Sequence, residues 1–116
     1  MGDPVVWFEI TSSRATDLNA FYASVFGWRS QQVTDQPRYW TIDEEQGGIA
    51  GGIGDAQGPN QVTFYVGVDD LQATLDRIVA AGGTVVMPIT TIPDLVTMAL
   101  FADPQGNVIG ITRKWQ

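Results

Sequence analysis

Along residues 5–10, VVWFEI, the side chains alternate. Val6, Phe8 and Ile10 point one way and Trp7 and Glu9 the other, the period of a half-buried strand. From 14 to 26 the spacing becomes helical, with Leu18, Phe21, Tyr22, Val25 and Phe26 on one apolar stripe. Ser12 or Ser13 is the expected N-cap and Gly27 the stop. Short strands are expected near 28–33, 38–42 and 48–53, followed by the turn-rich linker GDAQGPN at 54–60. The pattern then restarts. QVTFYVGV (61–68) reads as a strand with Val62, Phe64, Val66 and Val68 on one face. Asp69 and Gln72 suggest a capping box, Leu71, Leu75, Ile78 and Val79 a second helical stripe, and Gly82-Gly83 its end. Strands near 84–88, 96–102 and 107–113 complete the chain.

The two halves superpose at nearly constant offset. Trp7 through Gly27 maps onto Thr63 through Gly83 with a shift of 56, and GIAGGI (48–53) maps onto GNVIGI (106–111) with a shift of 58. The chain therefore reads as one α+β domain of two βαβββ modules, the first at about 1–54 and the second at about 61–116.

Composition removes several chemistries. The chain has 116 residues, no cysteine and no histidine. That excludes disulfides, thiolate or imidazole catalysis and Cys- or His-held metals, leaving carboxylates, carbonyls and water for hard ions. No apolar run suits a bilayer span, and no leader pattern opens the sequence, so a cytoplasmic location is expected. A net charge of -7 argues against nucleic acid and permits a cationic ligand.

The duplicated unit, with NAFYASVFGW (19–28), VGVDDLQATLDRIVAAGG (66–83) and FADPQGNVIGI (101–111), resembles the vicinal oxygen chelate superfamily. This group includes glyoxalase I, extradiol dioxygenases and bleomycin resistance proteins. The resemblance covers nearly the whole chain and implies curved sheets around a cup with helices outside. It also implies a divalent metal held by His or Glu on the first and last strand of each module. Those positions fall here on Trp7, near Gly52, on Thr63 and on Gly110. Indole and glycine offer no ligand and a lone hydroxyl a weak one, so no metal and no cofactor is expected. In the DPQGN turn, Asp103 and Asn107 are expected to bond backbone, with Pro and Gly setting the bend.

With the ion gone, Trp7 becomes an aromatic wall, and Gly52 and Gly110 leave room opposite it. Glu9 and Tyr65 share the strand faces of Trp7 and Thr63. Trp40, in RYWTI, faces either the cup or the core and is counted with the cup. The expected ligand-binding set is thus Trp7, Glu9, Trp40, Gly52, Thr63, Tyr65 and Gly110. Apolar walls with few polar groups suit a small aromatic or amphipathic molecule, although Trp7 could equally fill a closed cup. Glu9 reads first as a partly buried, hydrogen-bonded carboxylate and second as a candidate general base; beside an indole its pKa should rise, a condition such a base exploits, whereas pairing with Arg113 would lower it. Three functions remain open: metal-free small-molecule binding, metal-free lyase or isomerase chemistry on Glu9, and a catalytically silent homodimeric assembly module. Trp28 is expected to pack at the helix exit and Trp115 to cover an edge or a subunit interface. The 89–96 segment is expected to be a lid or a subunit contact.

Overall fold

The computed structural model of the chain describes residues 2–46, 48–93 and 95–113. Its elements are β1 (Val5–Ser12), α1 (Ala15–Phe26), β2 (Ser30–Asp35), β3 (Arg38–Ile42), a 3-10 turn (Glu44–Gln46), β4 (Ala50–Asp55), β5 (Gln61–Val68), α2 (Leu71–Ala80), β6 (Thr84–Ile92), β7 (Val96–Ala102) and β8 (Val108–Arg113). The α+β class and the βαβββ repeat both hold. β1 and β5 are displaced by 56 positions, and β4 and β8 by 58, the offsets of the sequence repeat. The chain divides into two compact units, residues 7–63 and the stretch through Val6 with the chain from Phe64 on. The Gly67 N–H donates to the Pro4 carbonyl at 2.8 Å, which ties the N-terminal stretch to β5.

In the first unit the strand order is β2-β3-β4-β1. β1 runs parallel to β4, and the other pairs are antiparallel. One face packs on α1, where Ala15, Ile42 and Ile53 are buried and Phe8, Ile10, Leu18, Tyr22, Trp28 and Trp40 close around them. Burying an Ile42 or Ile53 side chain stabilises by roughly 1.5–3 kcal/mol. Trp28 packs as its place predicts, 5.1 Å from the Tyr22 ring and 5.3 Å from Phe8. The expected stripe on α1 is wider than the face that is covered. Phe21 and Val25 stay 54% and 53% exposed, because Ala15, Leu18, Asn19 and Tyr22 point at the sheet and these two stand roughly a quarter-turn away, while Phe26, on the covered face but in the last turn, is 60% exposed beside Tyr22 and Trp28.

The second unit repeats the plan with strand order β5-β8-β7-β6, again with one parallel pair. Its core joins Val68, Leu71, Leu75, Ala99 and Ile111, with Val66, Ile78 and Phe101 against them. Of the expected apolar face of β5, only Val66 and Val68 reach this core, and Val62 is 76% exposed.

Helix ends differ by small steps from expectation. Neither Ser12 nor Ser13 caps α1. The N-cap is Arg14, and the Ser12 hydroxyl accepts from the Arg14 N–H instead. α1 does stop at Gly27, at φ +70°, a left-handed geometry that favours glycine. On α2 the cap is Asp70 rather than Asp69, its carboxylate accepting from the Ala73 N–H at 2.9 Å, while Gln72 bonds Asp76. The 89–96 segment is not a free loop. β6 continues to Ile92 and pairs with β7 through Thr91↔Thr97 and Ile92↔Val96, so backbone pairing absorbs the segment into a hairpin. Asp94 and Trp115 lie outside the described residues.

Two carboxylates staple the ends of strands. Asp103 accepts from the N–H groups of Gln105 and Asn107 and from the Asn107 amide, around Gly106 at φ +88°. The side-chain bond from Asn107 holds the Asp103 carboxyl below the ordinary carboxylate range, with the backbone donors adding to it. Asp55, at the end of β4, receives Arg38 through its guanidinium and its backbone N–H, and the side-chain bond lowers its pKa. Depressed folded pKa values stabilise fully above the unfolded carboxylate value of about 4 and are lost as pH falls through the folded values. Urea midpoints should therefore fall below about pH 4. The fall should be shallower in the Asp103→Ala variant, and an identical slope would refute the staple.

Candidate functional site

The first unit carries a hydrogen-bonded relay on the sheet face away from α1. β1 places Trp7 and Glu9 there, two residues apart, because Phe8 and Ile10 are taken by the core. β3 adds Tyr39, which alternates with the core-facing Trp40 and Ile42. The Trp7 indole N–H donates to the Tyr39 hydroxyl at 3.1 Å, and that hydroxyl donates to Glu9 Oε2 at 2.9 Å. The direction is fixed by chemistry. An indole N–H can only donate and an ionised carboxylate can only accept, so the phenol hydrogen must point at Glu9. All three side chains are partly exposed.

Gly52 is where it is so that this ring can lie across β4. A Cβ on Gly52 would stand 2.0 Å from the Tyr39 hydroxyl oxygen, and one on Gly54 would stand 2.4 Å from the near edge of the ring. The space opposite Trp7 is thus filled by Tyr39, which corrects the expectation that Gly52 leaves it vacant. The same correction applies in the second unit. Tyr65 pairs with Gly110 across β5 and β8, and a Cβ there would meet the ring at 2.2 Å. Glyless sheets cannot admit a ring this close. Glu9 pairs with Gly52 in the same way, so Tyr65 occupies in the second unit the place that Glu9 holds in the first.

The sequence-expected residues therefore divide. Trp7, Glu9 and Gly52 come together around Tyr39, and Tyr65 comes together with Gly110. Thr63 is buried on the Tyr65 face at 8% exposure, and Tyr65 is 6% exposed, so its ring is packed. Trp40 does not join the cup face. It shares the face of Ile42 and packs into the α1 core, since residues two apart on a strand point the same way. Tyr39 was the residue missed. The signal was present, because a buried Ile42 puts Trp40 inward and Tyr39 outward. A separate surface cavity of about 230 Å³ lies at the end of α1, lined by Gly27, Arg29, Ile42, Asp43 and Glu45, none of them anticipated.

The four positions to which the family resemblance assigns metal ligands bring few donors. Trp7 commits its single N–H to Tyr39, Gly52 and Gly110 lack side chains and have rings over them, and Thr63 brings one hydroxyl. Among the described residues no three carboxylates converge. One carboxylate beside a phenol is a weak donor set for a divalent ion. What the arrangement offers is an aromatic floor with one carboxylate in it, able to bind a small molecule or move a proton.

Comparison with known proteins bears on the family and the fold. The sequence model of a family described as a glyoxalase-like domain matches residues 7–112. Protein CFP32 of Mycobacterium tuberculosis, provisionally named a glyoxylase, is 29% identical over 118 residues, covering 95% of this chain and 44% of that protein. The anthracycline biosynthesis protein DnrV of Streptomyces peucetius is 30% identical over 126 residues, covering 93% and 46%. The chain thus spans less than half the length of these relatives. The crystal structure of methylmalonyl-CoA epimerase from Mycobacterium tuberculosis matches 97% of this chain and 88% of that one with a TM-score of 0.70 at 11% identity, a likeness of fold. No described helix is long and apolar enough to cross a membrane.

Proposed function

The chain belongs to the glyoxalase-like domain family, within the vicinal oxygen chelate superfamily, and from that premise we propose that it is a metal-independent binding protein holding a small aromatic or amphipathic molecule on the Trp7–Tyr39–Glu9 floor. The observation that carries this reading is the relay itself: two aromatic side chains and a carboxylate, mutually hydrogen-bonded, partly exposed and locked in one geometry. A preorganised aromatic surface loses little entropy when a flat ligand stacks on it. The name of the Streptomyces relative, an anthracycline biosynthesis protein, is in keeping with an aromatic ligand.

Fluorescence titration against a panel of planar aromatic compounds tests the reading. Binding should change the emission of the wild type, and Trp7→Phe should abolish most of that change and weaken affinity about tenfold, the worth of a stacked indole. Unchanged affinity in folded Trp7→Phe would place the ligand elsewhere.

One observation favours a second reading, a metal-free isomerase or lyase. Tyr39 brings an O–H to the Glu9 carboxylate, so a base and a hydrogen-bond donor stand side by side. Turnover of a small carbonyl compound that vanished in Glu9→Gln would favour it, and turnover that persisted would remove it.

A further inference from the structure

We propose that one side of α1 docks a second copy of this chain. The two helices pair antiparallel about a two-fold axis near Phe21, and Arg14 of each copy enters the acidic cavity at the end of the other copy's α1.

A stripe along α1 is left uncovered by the core. Arg14, Asp17, Phe21 and Val25 follow one another at spacings of three and four, which lines them up on one side of the helix. Phe21 and Val25 are both more than half exposed. No charged residue interrupts the chain from Leu18 to Trp28. Ala20 and Ser24, one step before the two apolar residues, are small enough for another helix to come close. An exposed apolar stripe rimmed by charge marks an interaction surface.

The two ends of the stripe identify its occupant. At the head, the Arg14 side chain is 80% exposed and pairs with Asp17 alone. At the tail lies the cavity lined by Gly27, Arg29, Ile42, Asp43 and Glu45. Two carboxylates against one guanidinium leave that cavity net negative, and the C-terminal end of the helix adds to its negative potential. Among the described residues neither Asp43 nor Glu45 pairs with a cation. A cation at one end, an acidic cavity at the other and apolar residues between them make the stripe its own complement when reversed. With Phe21 on the axis, Arg14 stands seven residues away, roughly 10 Å along the helix. That is the level of residue 28 in the other copy, between two of the cavity's lining residues, Gly27 and Arg29. Both ends are matched at once, as a two-fold interface requires.

A phenylalanine presents roughly 150–250 Å². At half exposure, Phe21 and Val25 with their small neighbours offer a few hundred Å² per copy. This is the low end of specific interfaces, so the dimer should be weak, with a Kd on the order of 10–100 µM. The Trp7–Tyr39–Glu9 face lies on the other side of the first sheet, so a ligand there and this dimer are independent.

Sedimentation velocity of the full chain from about 5 to about 500 µM tests the pairing, at physiological salt to screen the net charge of -7. Wild type should pass from monomer to dimer across that range, and Phe21→Glu should stay monomeric. Arg14→Glu should weaken the dimer about tenfold, because each dimer holds two such contacts. Glu45→Lys should do the same. The two changes in one chain should restore most of the affinity, since they exchange the charges across the interface.

A wild type that stays monomeric overturns the proposal. A dimer that survives Phe21→Glu uses another surface, such as a sheet edge, and overturns it as well. Charge variants whose losses add, with no recovery in the double variant, overturn the antiparallel register. If Phe21→Glu does not fold by circular dichroism, Val25→Glu takes its place with the same readings, at the second half-exposed position of the stripe.

Discussion

Replacing Gly110 with alanine is expected to lower folding stability by about 2–3 kcal/mol, the cost of forcing a methyl into a packed site. The new Cβ would lie 2.2 Å from two carbons of the Tyr65 ring and 2.7 Å from the ring carbon nearest the backbone. That ring is 6% exposed, so it has no free space into which to swing. Gly52→Ala makes an instructive contrast. Its conflict is with the hydroxyl end of Tyr39, which is only partly buried and can move. The loss there should be smaller, on the order of 1 kcal/mol, but the displaced hydroxyl should leave Trp7 and Glu9. Urea denaturation of both variants checks the order. Adding Tyr65→Ala to Gly110→Ala should make the second change nearly free, and full additivity would refute the ring-on-glycine account.

Tyr39→Phe is the second large effect. The ring stays over β4, so packing is kept, but the hydroxyl that served both neighbours is gone. Trp7 loses its acceptor at 3.1 Å, and Glu9 loses the donor at 2.9 Å that Tyr39 supplies. One of the two bonds ends on a charged group, and losing both should cost about 1–3 kcal/mol, moderated by whatever water reaches this partly exposed face. Trp7 emission should shift as well, measured against Trp7→Phe as background. In a double-mutant cycle of Trp7→Phe with Tyr39→Phe, the coupling should be about 0.5–1.5 kcal/mol. Zero coupling would mean that the indole and phenol do not act together.

Much of this was legible in the chain. Period-2 alternation around Phe8 and Ile10 put Trp7 and Glu9 on one face, and the structure agrees. The same rule applied to RYWTI should have turned Trp40 inward, because Ile42 shares its face. Two aromatics in a row hid the choice, since either ring is a credible wall, and only packing against α1 resolved it. The DPQGN turn was readable because the Asp103 carboxylate accepts from the backbone N–H groups of Gln105 and Asn107, although the Asn107 side chain, expected on backbone, donates to that carboxylate instead. The extent of β6 was not, because its last four residues are set by pairing with β7, and Thr, Ile and Pro carry no local signal for where pairing stops.

By itself the sequence determined the α+β repeat, its offsets, the face that holds Trp7 and Glu9, and the absence of thiol and imidazole chemistry. These depend on local periodicity or on composition, which need no partner to be read. Tertiary structure alone decided that rings lie over Gly52 and Gly110, that Tyr39 joins indole to carboxylate, and that Trp40 faces inward. Such contacts link residues some 13 to 45 positions apart across strands, and their energies depend on side-chain proximity that only the folded sheet creates.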